Sequence, residues 1–424
     1  MPDERETTGS TAARQPAGAP LDPGDSAAPA DSPSPAAPTP HRNQLPNAGA
    51  SGIPSGPPSA ASASDTGVGL SAPTTKPRAQ FEAAELAIVL SHYDLGIIEA
   101  VQPYPRGSRK APKLILKTDR GYYLLKRRAK GKDDPYKVAF CHGIQIHLAD
   151  RQFPLPHLIG TRRDNNSMLR WSGAIYELFE YIKGQGYDSS LEATTDAGKT
   201  LALFHKLLSD YQSDYSPAQG SYHASRTVGT SLEKIPETLL RVAPGEMQQH
   251  GKAIRDTVAF LQISYHQARD RVNALGLDDW PARIVHCDWH PGNMLFRGSR
   301  VVAVIDYDTA RIQPRVLDVG NGALQFSILG GDQDPSQWPD YIDESRFKRF
   351  VRGYEAVPDM VLAKAEIACL PHLMTEALIA EMTIPIANTG HFGRLPGAAM
   401  LNMVERKVRW LQNRTDDLIE MIGS

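Results

Sequence analysis

The sequence predicts an α+β fold with two lobes, a small antiparallel sheet followed by a mainly helical part. Three observations predict it. Short runs with strand-like alternation and turn residues between them crowd the region from residue 96 to residue 128. Apolar residues recur at helical spacing through most of the chain after Thr194. Between them in character lies a strand, loop, strand, hairpin, strand segment at residues 284–306, with carboxylates and an amide at its turns.

Residues 1–80 contain no Phe, Trp or Tyr and are dense in Pro, Ala, Ser and Gly. Such a segment cannot bury enough apolar surface to offset its ordering entropy, so a disordered tail is expected over 1–80. Folded sequence begins with a helical pattern at residues 81–90. Residues 96–101 begin a strand, and a turn-rich loop follows over 103–112. Residues 113–118 and 122–128 form a hairpin about Asp119-Arg120-Gly121. Alternation puts Tyr122, Leu124 and Lys126 on one face of the third strand. A helix is expected over 135–149. Residues 153–159 lead to a strand, a hairpin falls at 163–166, and residues 174–184 form another strand with an exit.

From Thr194 onward helices dominate. Residues 197–208 carry apolar side chains at helical spacing, and His205 reads as a packed or capping residue there. Residues 209–229 are polar and aromatic and are expected to form a loop. A long amphipathic helix is expected over 244–275. The C-terminal part predicts helices over 347–355, 360–382 and 398–421, with a turn-rich loop at 385–394.

The segment 284–296, continued by Val304-Ile305-Asp306, carries the chemistry. Asp288, Asn293 and Asp306 fall at the ends of adjacent short strands. That is the set of groups phosphoryl transfer needs: one carboxylate to receive the proton of an attacking hydroxyl, and an amide and a second carboxylate to hold Mg²⁺ on nucleotide phosphates. His286, Asp288 and His290 alternate, as zinc ligands can, but no partner motif at a recognisable spacing completes a metal site.

His286-Cys287-Asp288-Trp289-His290-Pro291-Gly292-Asn293, followed by Ile305-Asp306-Tyr307-Asp308-Thr309-Ala310, resembles the catalytic segment of the aminoglycoside phosphotransferase, type II homoserine kinase and CotS-like superfamily. These are small-molecule kinases with a bilobal protein-kinase-like fold. A protein kinase would carry Arg where Cys287 stands and Phe-Gly where Tyr307-Asp308 stand. The resemblance covers about residues 85–330. It implies an N-lobe over 81–182 and a helical C-lobe over 183–424, with ATP and Mg²⁺ between them. It makes Asp288 the base, and Asn293 and Asp306 the metal ligands. Lys126, in a Tyr-x-Leu-Lys pattern, becomes the phosphate anchor. The loop at Gly107 and Ser108 would cover the phosphates, and the backbone at Glu180, Tyr181 and Ile182 would meet the adenine edge, with Phe179 as gatekeeper. Asp318 would brace the catalytic loop. One departure stands out. Protein kinases pair the lysine with a Glu on the helix that follows, yet residues 135–149 contain no acid. Gln145 or His142 is left as the expected partner of Lys126. The same departure motivates the alternative reading, a nucleotide-binding pseudokinase with a regulatory or scaffold role.

Composition narrows the partners. With 46 basic and 48 acidic residues there is no electrostatic case for nucleic acid. Three scattered cysteines, an apolar signal core missing at the N-terminus and no run of about eighteen apolar residues lead us to expect a cytoplasmic protein with reduced thiols and no membrane partner. The expected partner is a small hydroxylated substrate.

Overall fold

The computed structural model describes residues 78–104, 108–330 and 334–423. The expected disordered tail, up to residue 77, lies outside the described residues.

Helix α1 (Ala83–Ser91) opens the described fold. Its Glu85 accepts hydrogen bonds from the Glu82 amide (3.1 Å) and the Tyr176 hydroxyl (2.8 Å), and pairs with Arg127 at 2.5 Å. These tie the helix to the sheet. Strands β1 (Ile98–Pro103), β2 (Lys113–Thr118) and β3 (Gly121–Arg127) form the expected meander. Helix α2 (Pro135–Asp150) follows, started by Asp134, whose side chain accepts from the Tyr136 and Lys137 amides. Strands β4 (Leu169–Trp171) and β5 (Ala174–Glu180) complete an antiparallel sheet in the order β1-β2-β3-β5-β4. Alternation sorts the two faces. Val89, Leu116, Leu125, Tyr176 and Leu178 pack together under α1. Leu124, Lys126, Glu177 and Phe179 therefore share the opposite face, because Leu124 pairs with Phe179 and Lys126 with Glu177.

The helical lobe begins with α3 (Leu191–Leu207), capped by Ser190, then α4 (Arg226–Val242) and α5 (Pro244–Ala274). Helix α4 departs from the expected loop at its N-terminal end and was not foreseen over the rest. Pro236 sits inside it, but Val228, Leu232, Ile235 and Leu239 fall on one buried stripe. Tertiary burial overrides the local breaker. Next come β6 (Ala282–Val285), β7 (Met294–Arg297), β8 (Arg300–Val304) and β9 (Arg311–Pro314). β6 pairs with β9 and β7 with β8.

Helices α6 (Val316–Ser327), α7 (Glu344–Glu355) and α8 (Lys364–Thr389) follow. A two-residue hairpin, β10 (His391–Phe392) with β11 (Leu395–Pro396), leads to α9 (Gly397–Asn413) and α10 (Thr415–Gly423). Here too a proline misleads. α8 runs through Pro385 into the expected loop, held by buried Met382, Thr383, Ile386 and Ala387, and stops at Gly390 with φ 77°. α8 is also the one described helix long and apolar enough to cross a membrane, and 78% of that window is buried inside the fold.

Candidate active site

The catalytic-loop segment leaves β6 at Val285 and is shaped by one carboxylate. Asp318, in the first turn of α6, accepts hydrogen bonds from the backbone amides of His286 (2.5 Å) and Cys287 (2.7 Å). Cys287 has φ 62°, a left-handed conformation that non-glycine residues seldom adopt. His205 on α3 lies 3.2 Å from Asp318 through Nε2, and its Nδ1 meets the Tyr354 hydroxyl at 2.9 Å. Burial pushes the His205 imidazole down despite Asp318, so a neutral ring donates to Asp318 and accepts from Tyr354. Thr309 donates to the His286 carbonyl at 2.9 Å. The bracing role expected of Asp318 and the packed role expected of His205 are both what the geometry shows.

Asp288 follows on this braced turn. The Asn293 side-chain amide donates to its backbone carbonyl (3.0 Å) and to its carboxylate (2.8 Å). His290 stands 3.6 Å from the same carboxylate and accepts from the Gly292 amide through Nδ1, which leaves Nε2 to face Asp288. Burial pushes the Asp288 carboxyl up. The hydrogen bond and charge of His290, the charge of His286 and the Asn293 amide more than reverse that and hold it below its ordinary value. His290 responds in the opposite sense: burial lowers it, but Asp288 raises it on balance.

Asp306 reaches the site from the end of β8. The Ile305 amide donates to the Asn293 carbonyl at 2.9 Å, which sets Asp306 beside Asn293 in the chain path. Asp306 has φ 65° and ψ 70°, a second non-glycine residue in the left-handed region. Its carboxylate lines a cavity and takes no hydrogen bond or ion pair among the described residues. The Asn293 amide nitrogen is occupied by Asp288, so its Oδ1 remains as an acceptor. Two such hard oxygens suit Mg²⁺ better than zinc.

That cavity, about 130 Å³, lies between sheet and loop segment and brings together Lys126, Phe179, Glu180, Tyr181, Ile182 and Asp306. The amides of Glu180 and Tyr181 already donate to the His157 and Tyr122 carbonyls. Ser108 is not among the lining residues; its hydroxyl accepts from the Lys110 amide at 3.2 Å. Gly107 lies outside the described residues. A second cavity of about 450 Å³ is lined by Asp288, His290, Cys287, Arg311, Gln325 and Glu381. Asp288 lines this larger cavity, Asp306 lines the smaller one, and Asn293, hydrogen-bonded to Asp288, is nearly buried.

The partner of Lys126 is a correction. Neither Gln145 nor His142 bonds it. Gln145 donates to the Cys141 carbonyl, and His142 bonds Ser167 and Glu177. Lys126 instead pairs with Glu177 at 3.2 Å and with Asp308 at 3.7 Å. Arg128 adds contacts to Glu177 (2.9 Å) and Asp308 (2.5 Å). Reading the helix alone could not find Glu177, because the partner comes from the register of β3 on β5. Lys113, paired with Lys126 across β2 and β3, also lines the smaller cavity and was not foreseen. Its ammonium is pushed down by burial and by the Lys126 charge.

A small antiparallel sheet over a helical lobe, with Lys126 and Asp306 lining a cleft between them, defines a bilobal protein-kinase-like fold. Residues 101–359 match the phosphotransferase enzyme family termed APH, and the chain belongs to that family. Similar curated proteins include the homoserine kinase of Methylocella silvestris, 25% identical over 53% of this chain and 63% of its own length. The homoserine kinase of Granulibacter bethesdensis is 24% identical over 69% of this chain and 82% of its own. Among solved structures, an aminoglycoside phosphotransferase from Alicyclobacillus acidocaldarius superposes with a TM-score of 0.53 at 17% identity, covering 82% of this chain and 99% of that one. A microcompartment-associated aminopropanol kinase gives 0.56 at 13% identity, over 80% and 98%. These structural likenesses speak to the fold.

Proposed function

We propose that this chain is an ATP-dependent phosphotransferase that moves the γ-phosphoryl group to a hydroxyl of a small molecule. The observation that carries the reading is the division of the candidate residues between two cavities. Asp288 lines the larger one, Lys126, Asp306 and residues 180–182 line the smaller one, and Asn293 is hydrogen-bonded to Asp288.

In this reading the residues of 81–182 hold the nucleotide, and those of 183–424 carry the catalytic loop and the acceptor. The adenine edge meets the Glu180 carbonyl and Ile182 amide beside Tyr181, with Phe179 behind. Lys126 touches the phosphates. Asn293 and Asp306 hold Mg²⁺, which when bound neutralises charge developing on the phosphates. Asp288 orients the acceptor hydroxyl and receives its proton. With a loose transition state, holding the hydroxyl in line matters more than removing its proton early. His290 keeps Asp288 ionised. The larger cavity is lined by the carboxyl groups of Asp288 and Glu381 and by the Arg311 guanidinium, which suits an alcohol that also carries an amine or a carboxylate; the names of the homoserine and aminopropanol kinases point the same way.

The test is ADP release with Mg²⁺–ATP against a panel of amino alcohols, hydroxy amino acids and neutral polyols. Asp288→Asn keeps the shape but cannot take the proton, so turnover falls on the order of 10²–10⁴-fold while calorimetric ATP affinity stays within a few-fold of the parent. A variant that turns over normally removes Asp288 from the chemistry. A parent protein that binds no Mg²⁺–ATP removes the kinase reading.

A further inference from the structure

In a protein kinase the phosphate-anchoring lysine is aligned by a glutamate on the mobile helix of the N-lobe. Helix α2 occupies that place here and carries no acid from Pro135 to Ala149. We propose that Glu177, on β5 of the same sheet as the lysine, is the positioning residue for Lys126, so that alignment of the lysine is built into the sheet and does not depend on where α2 sits. The inference rests on the kinase reading above.

The reasons begin with register. Lys126 and Glu177 are direct partners across the antiparallel β3–β5 ladder. Directly opposed residues have Cβ atoms about 4.5–5.5 Å apart on one face, so the two side chains meet without any help from a third element. The Lys126 ammonium ends 3.2 Å from Oε2 of Glu177. The other oxygen, Oε1, is held by His142 Nε2 at 2.8 Å and by Arg128 at 2.9 Å. His142 is fixed in turn by the Ser167 hydroxyl at 2.8 Å through Nδ1. The Glu177 side chain is 1% exposed. A carboxylate buried to that degree persists only when paired and hydrogen-bonded. Burial pushes it up, and Lys126, His142 and Arg128 together hold it well below its ordinary range.

The placement has a mechanical consequence. Adjacent strands of a sheet are locked by backbone hydrogen bonds, whereas a helix packed on a sheet can shift as a body. α2 reaches this network through His142, which touches the far oxygen of Glu177 and not the lysine. The helix buttresses the carboxylate but does not carry it. The lysine has a competing anion, Asp308 at 3.7 Å. Without Glu177, Lys126 turns toward Asp308 and away from the phosphates.

The experiment compares Glu177→Gln, Glu177→Asp and Gln145→Ala with the full-length parent, by turnover and by calorimetric Mg²⁺–ATP affinity. A misplacement of about 1 Å at a reacting centre costs on the order of 10²-fold, so Glu177→Gln is expected to lower kcat about 30–100-fold. Its ATP affinity stays within about fivefold, because an interaction that aligns charge for the transition state acts mainly on kcat. Gln145→Ala, on the helix, loses at least tenfold less. Glu177→Asp keeps the charge but withdraws it by one methylene and gives an intermediate kcat; it also serves if the Gln variant does not fold. In the double variant Glu177→Gln with His142→Glu, a carboxylate returns from the helix side and recovers at least part of the lost turnover. The proposal is overturned by a Glu177→Gln or Glu177→Asp protein with parental kcat, or by Gln145→Ala being as damaging as Glu177→Gln. Failure of the parent itself to bind Mg²⁺–ATP strikes the kinase reading, and is read separately.

Discussion

Asp318→Ala should unfasten the catalytic loop. The carboxylate is 1% exposed and accepts two backbone amides, His286 at 2.5 Å and Cys287 at 2.7 Å, besides facing His205 at 3.2 Å. Removing it leaves the two amides as buried donors without a partner, each costing about 1–3 kcal/mol. The bonds also hold Cys287 at φ 62°, a conformation that costs roughly 1–2 kcal/mol for an L-residue, so its relaxation once they are gone returns part of that loss. Relief of the buried charge offsets part of this. The net expectation is a loss of about 3–5 kcal/mol, the range seen when one member of a buried charged set is deleted. That is a large share of a total stability of about 5–15 kcal/mol. Asp318→Asn keeps one acceptor and should lose about half as much. As a control, Asp256→Ala removes an exposed pair with Lys252, 2.7 Å long, and should change stability by less than about 0.5 kcal/mol. Urea unfolding gives the stabilities, and amide hydrogen exchange over 282–296 shows whether the loss is local. A loss below about 1 kcal/mol for Asp318→Ala, with unchanged exchange at 286 and 287, would refute the bracing argument.

Three further outcomes follow from the geometry. Mg²⁺–ATP at a hundred times its dissociation constant should stabilise the parent by about 2.7 kcal/mol, and Asp306→Ala should lose the Mg²⁺-dependent part of the melting shift; an unchanged response removes Asp306 from the metal site. Gly198→Ala should cost about 1–3 kcal/mol or more in thermal unfolding, because a Cβ there would stand 2.0 Å from the Phe350 carbonyl where α3 meets α7. Lys407 is fully buried and donates to the Pro339 and Tyr341 carbonyls, and burial pushes its ammonium down to about 8 from the ordinary 10.5. The unfolded chain therefore holds more protons than the folded one between about pH 8 and 10.5, so this group adds stability as pH rises through that window. In urea unfolding, the parent should gain up to about 3 kcal/mol on Lys407→Met across it; parallel pH curves would contradict this.

Much of the site was legible because its chemistry is local in the chain. The spacing of Asp288, Asn293 and Ile305-Asp306 depends on one loop and one hairpin, and the structure places Asp288 and Asn293 in hydrogen-bond contact as that spacing implies. Strand alternation put Leu124 and Lys126 on one face, and that face meets the cleft. Cap residues are local signals of the same kind: Asp134 and Ser190 accept the first amides of α2 and α3. Prolines were poorer guides. Pro236 and Pro385 break helices in isolation, yet α4 and α8 continue through them because the flanking apolar stripes are buried on neighbouring helices.

The amino-acid sequence by itself determined the lobes' character, the Asp-Asn-Asp set and the family resemblance, since each rests on residues a few positions apart. Only the tertiary structure decided what Lys126 faces. Its partners Glu177 and Asp308 come from β5 and from the turn after β8, and no local pattern states the register that aligns β3 with β5. The helix that lacks an acid says a partner is missing; the sheet supplies it, because opposed residues on paired strands must share a face.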